Sequence, residues 1–254
     1  MAEKAEIKVK SIKKTVDVLN CFLTKQPLGV TEISEKLGLY KSNVHSILTT
    51  LTALEYLDQD PESGKYYLGI GVLRLGRAIG SRYSFHKLAS PHMQVLSDET
   101  GEIVYLTVPF QNNKVYYLDT AFPSSGVPHL VGSIQNVIEE MNCTSSGKAM
   151  LAYMPSEFID DYLSKPLKAQ TEHTITDPAT LRKELMLIRS RGYATDNMEA
   201  EIGISCVAVP IRSVGGTVLG AMSVSGPSPR FNSERVEQLS VMLKKHVYAL
   251  QNEL

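Results

Sequence analysis

The chain has 254 residues, 43% of them apolar and 21% charged, and a formal net charge of −1. That balance excludes a disordered or membrane-embedded chain, and the length accommodates two domains, each with its own core. Cys21, Cys143 and Cys206 are odd in number and lack Cys-x-x-Cys spacing, which excludes a disulfide framework and a zinc knuckle. The opening "MAEKAEIKVK" is charged and has no apolar secretory core, so a cytoplasmic location is expected. Lys8, Lys10, Lys13 and Lys14 then lead into a helical pattern with Ile12, Val16, Leu19 and Leu23 as its expected core stripe, closed by Pro27 and Gly29. In "VTEISEKLGL", Val30, Ile33 and Leu37 share a face and Gly38 supplies the stop.

The third pattern, "KSNVHSILTTL", has Val44, Ile47, Leu48 and Leu51 at i, i+3, i+4 and i+7. At about 100° per residue the opposite side is centred on Ser42, Ser46 and Thr49, with Asn43, His45 and Thr50 beside them. Two short strand-like runs follow, joined by Asp60-Pro61-Glu62-Ser63-Gly64, a hairpin signal. Three helices and a hairpin over residues 1–71 read as a winged helix-turn-helix. Residues 72–84, "VLRLGRAIGSRYS", read as a linker helix.

The remainder, 85–254, mixes strands and helices. "IVYLTVPF" and "KVYYLDTAF" flank Gln111-Asn112-Asn113 as one hairpin, and "ISCVAVPI" and "TVLGAMSVSG" flank a Gly-Gly turn as another. Helices are expected at 86–99, 147–153, 156–164, after the Asp177-Pro178 start signal, and at 233–252. The longest uncharged stretch, 213–228, is interrupted by Gly215, Gly216, Gly220, Gly226 and Pro227 and is not a spanning helix. An antiparallel sheet with flanking helices, an α+β domain, is the expected result.

A helix that reads DNA must bring hydrogen-bonding groups to base edges without bulk that holds it out of the major groove. Ser42, Asn43, His45, Ser46 and Thr49 meet that requirement, with Lys41 at the helix start and Lys65 in the hairpin turn placed to neutralise phosphates. A solvated outer face has the same composition. The tight-turned helix before it and the hairpin after it favour the DNA reading.

Those blocks, "VTEISEKLGLYKSNVHSILTTL" and "YYLGIGVLRLG", followed by "CTSSGKAMLAYMP", "RGYATDNMEAEIGISCVAVPI" and "GAMSVSGPSPRF", resemble the IclR family of bacterial transcriptional regulators from about Lys10 to the end of the chain. The resemblance implies a GAF-like C-terminal domain that binds a small organic acid and controls operator binding. Family members often carry arginine where Ser46 stands and proline where Tyr40 stands, and "IQNVIEEMNCTSS" is a few residues longer than usual. A strong base or phosphate contact is therefore absent here.

Ser145 and Ser146 open the expected helix at 147–153, where unpaired N–H groups suit an anion and where plain capping is the other reading. The resemblance assigns this turn to the effector carboxylate, and adds Asp196, Cys206, Ser223 and Ser225 as pocket residues. Ser223 and Ser225 share a strand face with Ala221 by period-2 alternation, which supports the pair independently. Val131, Ile134, Val137, Ile138 and Met141 are available as an apolar wall or as ordinary core.

Ser145-x-x-Lys148 and Thr195-Asp196-Asn197 echo penicillin-recognising enzymes, but the Lys-Thr-Gly element is missing. "NCTSSGKA" fails as a phosphate loop at Asn142 and Ala149. With scattered histidines, no metal, cofactor or catalytic residue is expected. The expected partners are a palindromic double-stranded DNA operator, a small organic acid, and further copies of the chain as a dimer or dimer of dimers, with no membrane. The alternative is a small-molecule-binding protein or enzyme carrying an appended helix-turn-helix.

Overall fold

The structure, a computed structural model, describes residues 7–78, 85–111, 113–125 and 138–254. The chain divides into two units, Met1–Tyr83 and Ser84–Leu254.

In the first unit α1 (Lys10–Cys21), α2 (Val30–Leu37) and α3 (Lys41–Ala53) are followed by β1 (Leu57–Gln59), β2 (Tyr66–Leu68) and α4 (Ile70–Ala78). The Gly29 N–H donates to the Glu32 carboxylate at 2.8 Å to start α2, and Gly38, at φ 63°, ends it in the left-handed conformation that glycine tolerates. The core joins Val18, Cys21, Phe22, Ile33, Val44, Leu48 and Leu51 to Leu57 and Tyr66 of the hairpin. Antiparallel pairing of Leu57 with Leu68 and Gln59 with Tyr66 makes the wing. Asp60 caps its turn, its carboxylate accepting the Glu62 N–H at 2.8 Å.

The expected stripe on α1 is corrected in part: Leu19 packs against the core, but the other three members do not. Ile12, Val16 and Leu23 are 61%, 46% and 48% exposed, whereas Val18, Cys21 and Phe22 enter the core. Val18, Cys21 and Phe22 also stand at i, i+3 and i+4, so the helix has two apolar flanks and periodicity alone does not choose between them. The linker helix begins at Ile70, two residues early, and residues 79–84 lie outside those described.

In the second unit α5 (Phe85–Thr100) precedes β3 (Ile103–Phe110), β4 (Lys114–Ala121) and β5 (Ile138–Glu140). Then come α6 (Ser145–Leu151), α7 (Ser156–Leu163), α8 (Pro178–Arg191), β6 (Ala194–Asn197), β7 (Ile204–Arg212), β8 (Val218–Pro227) and α9 (Ser233–Gln251). The strands form one antiparallel sheet in the order β5-β4-β3-β8-β7-β6. Both expected hairpins are present as β3–β4 and β7–β8. The Asp177 carboxylate accepts the Thr180 N–H at 2.7 Å, with Pro178 in the first turn of α8 as its sequence signal required.

Strand alternation divides this sheet. Val104, Leu106, Val207, Val209, Met222 and Val224 are buried on the face against α5 and α9. Ala194, Ala208, Ala221 and Val115 face α6 and α8, where they form a core with Met141, Ala149, Met150, Leu185 and Ile188. Small alanines on this side let α6 approach the sheet closely. Toward one end of the same face the alanines give way to polar side chains.

Candidate DNA-reading face and candidate effector site

On α3 the stripe closes as expected: Val44, Leu48 and Leu51 are buried and Ile47 is half-buried. Lys41, Ser42, Asn43, His45, Ser46 and Thr49 are all exposed. The Ser46 hydroxyl donates to the Ser42 carbonyl at 3.0 Å and the Thr50 hydroxyl to the Ser46 carbonyl at 2.8 Å. Their oxygens therefore face outward as acceptors, suited to donors such as a cytosine or adenine amino group.

Lys65 sits after the wing turn but is engaged: its ammonium lies 3.1 Å from Glu32, which Lys25 also holds at 2.8 Å. Hydrogen bonds from Lys25, the Gly29 N–H and Lys65 pull the Glu32 pKa down to about 2. Tyr40, 82% exposed immediately before α3, belongs to the same surface and was not among the expected contacts.

The second site follows from sheet register. Ile103 pairs with Ser225, Ser225 with Cys206, and Cys206 with Asp196, so four strands set these side chains in one row. The adjacent row is Tyr105, Ser223, Ala208 and Ala194. Both rows are on the α6 face. The Cys206 sulfur lies 2.9 Å from the Ser225 hydroxyl and within hydrogen-bonding reach of Asp196 and Ser145. Five of the expected residues, Ser145, Asp196, Cys206, Ser223 and Ser225, are thus brought together, with Ser146 next to Ser145 in the first turn of α6.

Capping of α6 falls to neither serine. Thr144 is the N-cap, its hydroxyl accepting the Gly147 N–H at 2.9 Å. Gly147 makes this turn possible: a Cβ there would stand 2.7 Å from the Thr144 hydroxyl and closer still to the Met141 backbone. Gly147→Ala is expected to push α6 off the turn, lowering the melting temperature and weakening ligand binding. Unchanged values in a thermal-shift titration would contradict this.

Asp196 is 2% exposed and its carboxylate accepts the Glu199 N–H at 2.7 Å. Burial dominates over that hydrogen bond and raises its pKa to about 7. Because this lies above the unfolded value near 3.8, the group's contribution to stability is fully present below about pH 4 and is lost as pH rises through 7. Burial also pushes the thiol of Cys206 and the phenol of Tyr117 well up. Both side chains are nonetheless half-buried rather than wholly closed off from solvent.

Three features escaped sequence reading. Tyr117 meets Tyr105 edge to face, ring centroids 5.2 Å apart, and with Ile103, Phe122 and Ile204 they form an aromatic and apolar wall. Lys148, 1% exposed, forms an ion pair with Glu199 behind Asp196. Thr144 supplies the cap. Of the apolar residues available near the longer segment as wall or core, Met141 belongs to the main core, whereas Ile138 is neither, being 41% exposed on the edge strand. An apolar residue on a sheet edge has neighbours on one side only. Val131, Ile134 and Val137 lie outside the described residues. Among the described residues no cluster of three His, Cys, Asp or Glu is arranged to hold a metal, and no helix is long and apolar enough to cross a membrane.

Comparison with known proteins agrees with both halves. The family model described as the IclR helix-turn-helix domain matches residues 11–61, and that of the bacterial transcriptional regulator IclR C-terminal matches residues 78–252. The HTH-type transcriptional regulator KdgR of Dickeya chrysanthemi is 30% identical over 244 residues, which is 92% of this chain and 76% of that protein. The crystal structure of the Thermotoga maritima IclR is 30% identical with a TM-score of 0.80, covering 96% of this chain and 98% of that one. An IclR homolog from Microbacterium hydrocarbonoxydans, solved with 4-hydroxybenzoate, is 25% identical with a TM-score of 0.81, with the same coverage of both chains. The chain belongs to the IclR family of bacterial transcriptional regulators.

Proposed function

We propose that this regulator reads a palindromic operator through the exposed face of α3, with Lys41, Ser42, Asn43, His45, Ser46 and Thr49 at the duplex and Lys65 at a flanking phosphate. A small organic acid in the recess of Ser145, Ser146, Asp196, Cys206, Ser223 and Ser225 sets the operator affinity. The observation that carries this reading is the α3 surface itself. Its apolar stripe is closed against protein and its short polar residues are open to solvent.

One α3 helix reads only a few base pairs, so the protein acts as a homodimer or dimer of dimers in the cytoplasm. Ile12 and Val16, turned outward on α1, offer apolar surface that a second copy can cover. The effector acts through its different affinity for the two DNA-binding states, since equal affinity shifts nothing.

The protein has no catalytic turnover in this reading. Relatives are named regulators, and the Ser145-x-x-Lys148 spacing offers no activated serine, because Lys148 is the charged partner of Glu199. Asp196→Ala and Cys206→Ala are expected to blunt the effector response while leaving operator affinity nearly intact. Mobility-shift titrations on DNA upstream of the chain's own gene, with and without 4-hydroxybenzoate and other small acids, check this. Equal loss of effector response and operator binding would assign these residues a folding role instead. Turnover of an acid without sequence-selective retardation would favour an enzyme with an appended helix-turn-helix.

A further inference from the structure

The recess that receives an acid contains an acid of its own. The charged and titratable groups facing Asp196 are Glu199 from the following turn, Lys148 from α6, Cys206 from β7, Tyr117 from β4 and Cys143 from the turn before α6. Cys143, Cys206 and Tyr117 are neutral at ordinary pH, because burial raises all three. Lys148 is the one cation in this group, and its ammonium is committed to Glu199. Glu139 of β5 acts on Tyr117 and Cys143 as well, and Tyr105 of β3 on Tyr117, so the cluster carries one more negative charge when Asp196 is ionised than when it holds a proton. A carboxylate entering beside an ionised Asp196, itself 2% exposed, would meet a like charge with no free cation among these groups to offset it.

Resting on the effector-site reading above, we propose that Asp196 binds the effector's carboxylate as a protonated hydrogen-bond donor, so that each acid anion enters together with one proton. The geometry supplies the donor. One oxygen of Asp196 accepts the Glu199 N–H at 2.7 Å and the Ala200 N–H at 3.4 Å. The other oxygen can carry the proton toward the row of Cys206 and Ser225. The proton adds to an Asp196 oxygen and is then shared with the entering carboxylate; no bond to carbon forms or breaks. The elevated pKa of Asp196, about 7 in the free protein, makes the proton available near neutrality.

Linkage fixes the sign. Below the free-site pKa, Asp196 is already protonated and affinity is independent of pH. Above it each binding event takes up a proton, and Kd weakens up to about tenfold per pH unit. Affinity for an acid ionised throughout should thus be about tenfold lower at pH 8 than at pH 6.

Isothermal titration of the full-length protein with lactate, pyruvate and 4-hydroxybenzoate is the test. Each is titrated at pH 6 and pH 8, in two buffers of different ionisation enthalpy at each pH. The expected result is uptake of close to one proton per acid bound at pH 8 and little at pH 6. Asp196→Asn, whose amide donates at every pH while its oxygen still accepts the Glu199 N–H, should bind equally at both pH values and take up no proton. Binding of an acid to wild-type protein with no buffer-dependent enthalpy at pH 8 would overturn the proposal while leaving the effector site standing. Uptake that survives in Asp196→Asn would also overturn it. Absence of binding by every acid at either pH would refute the effector-site reading itself, and this inference with it.

Discussion

Replacing Ser42, Asn43, Ser46 and Thr49 together by alanine is expected to abolish discrimination between operator and unrelated DNA without unfolding the first unit. A side chain that hydrogen-bonds a base edge contributes about 1–3 kcal/mol of discrimination, so even one such loss changes selectivity severalfold to a hundredfold. The fold tolerates the change because all four residues are exposed and alanine is the strongest helix former. The stripe of Val44, Leu48 and Leu51 that holds α3 in place is untouched. Lys41→Ala should behave differently. A lysine at a phosphate adds affinity of nearly the same size on every sequence, and its loss lowers the slope of log affinity against log salt by about one. Fluorescence anisotropy on operator and scrambled duplexes at several salt concentrations separates the two effects. Selectivity retained by the fourfold variant would show that another surface reads the bases.

The second large effect concerns the ion pair behind the proposed effector site. Lys148→Met leaves the Glu199 carboxylate buried opposite no charge, and is expected to destabilise the second unit by about 3–5 kcal/mol. The cost arises from desolvation. Lys148 and Glu199 are 1% and 7% exposed, and one Glu199 oxygen has no hydrogen-bond partner even with the lysine present. Burial raises the Glu199 pKa although Lys148 opposes the shift, so the carboxylate will take up a proton more readily once the lysine is gone. Adding Glu199→Leu to Lys148→Met removes the orphaned charge and should recover most of the lost stability. Denaturant unfolding of the two variants and the wild type checks this. Equal stability of the single and double variants would mean that the two side chains are not coupled.

Much of the first unit was legible because its signals are local. The Val44-Ile47-Leu48-Leu51 stripe, the Gly38 stop and the Asp60–Gly64 turn each rest on interactions within a few residues, and the structure contains all three. Helix α1 shows the limit. Two apolar flanks lie on one amphipathic helix, and which one enters the core depends on where α2 and α3 stand. The same holds for Lys65, which reads as a free phosphate partner until Glu32 and Lys25 are placed beside it.

In the second unit alternation put Ser223 and Ser225 on one face, and the family resemblance supplied Asp196 and Cys206. The short strands β5 and β6 went unread, since three or four residues are too few to establish a period of two.

By itself the sequence determined the class of each unit, the helix that presents a short polar face, and the caps and turns that bound the elements. Hydrophobic period and turn chemistry act over short spans of chain, and such spans are visible in a line of letters. Only the tertiary structure decided that Ser225, Cys206 and Asp196 form one row, that Tyr105 and Tyr117 wall it, and that Lys148 finds Glu199. Those pairings depend on strand register and on charges leaving water together, and each joins residues that many intervening positions separate along the chain.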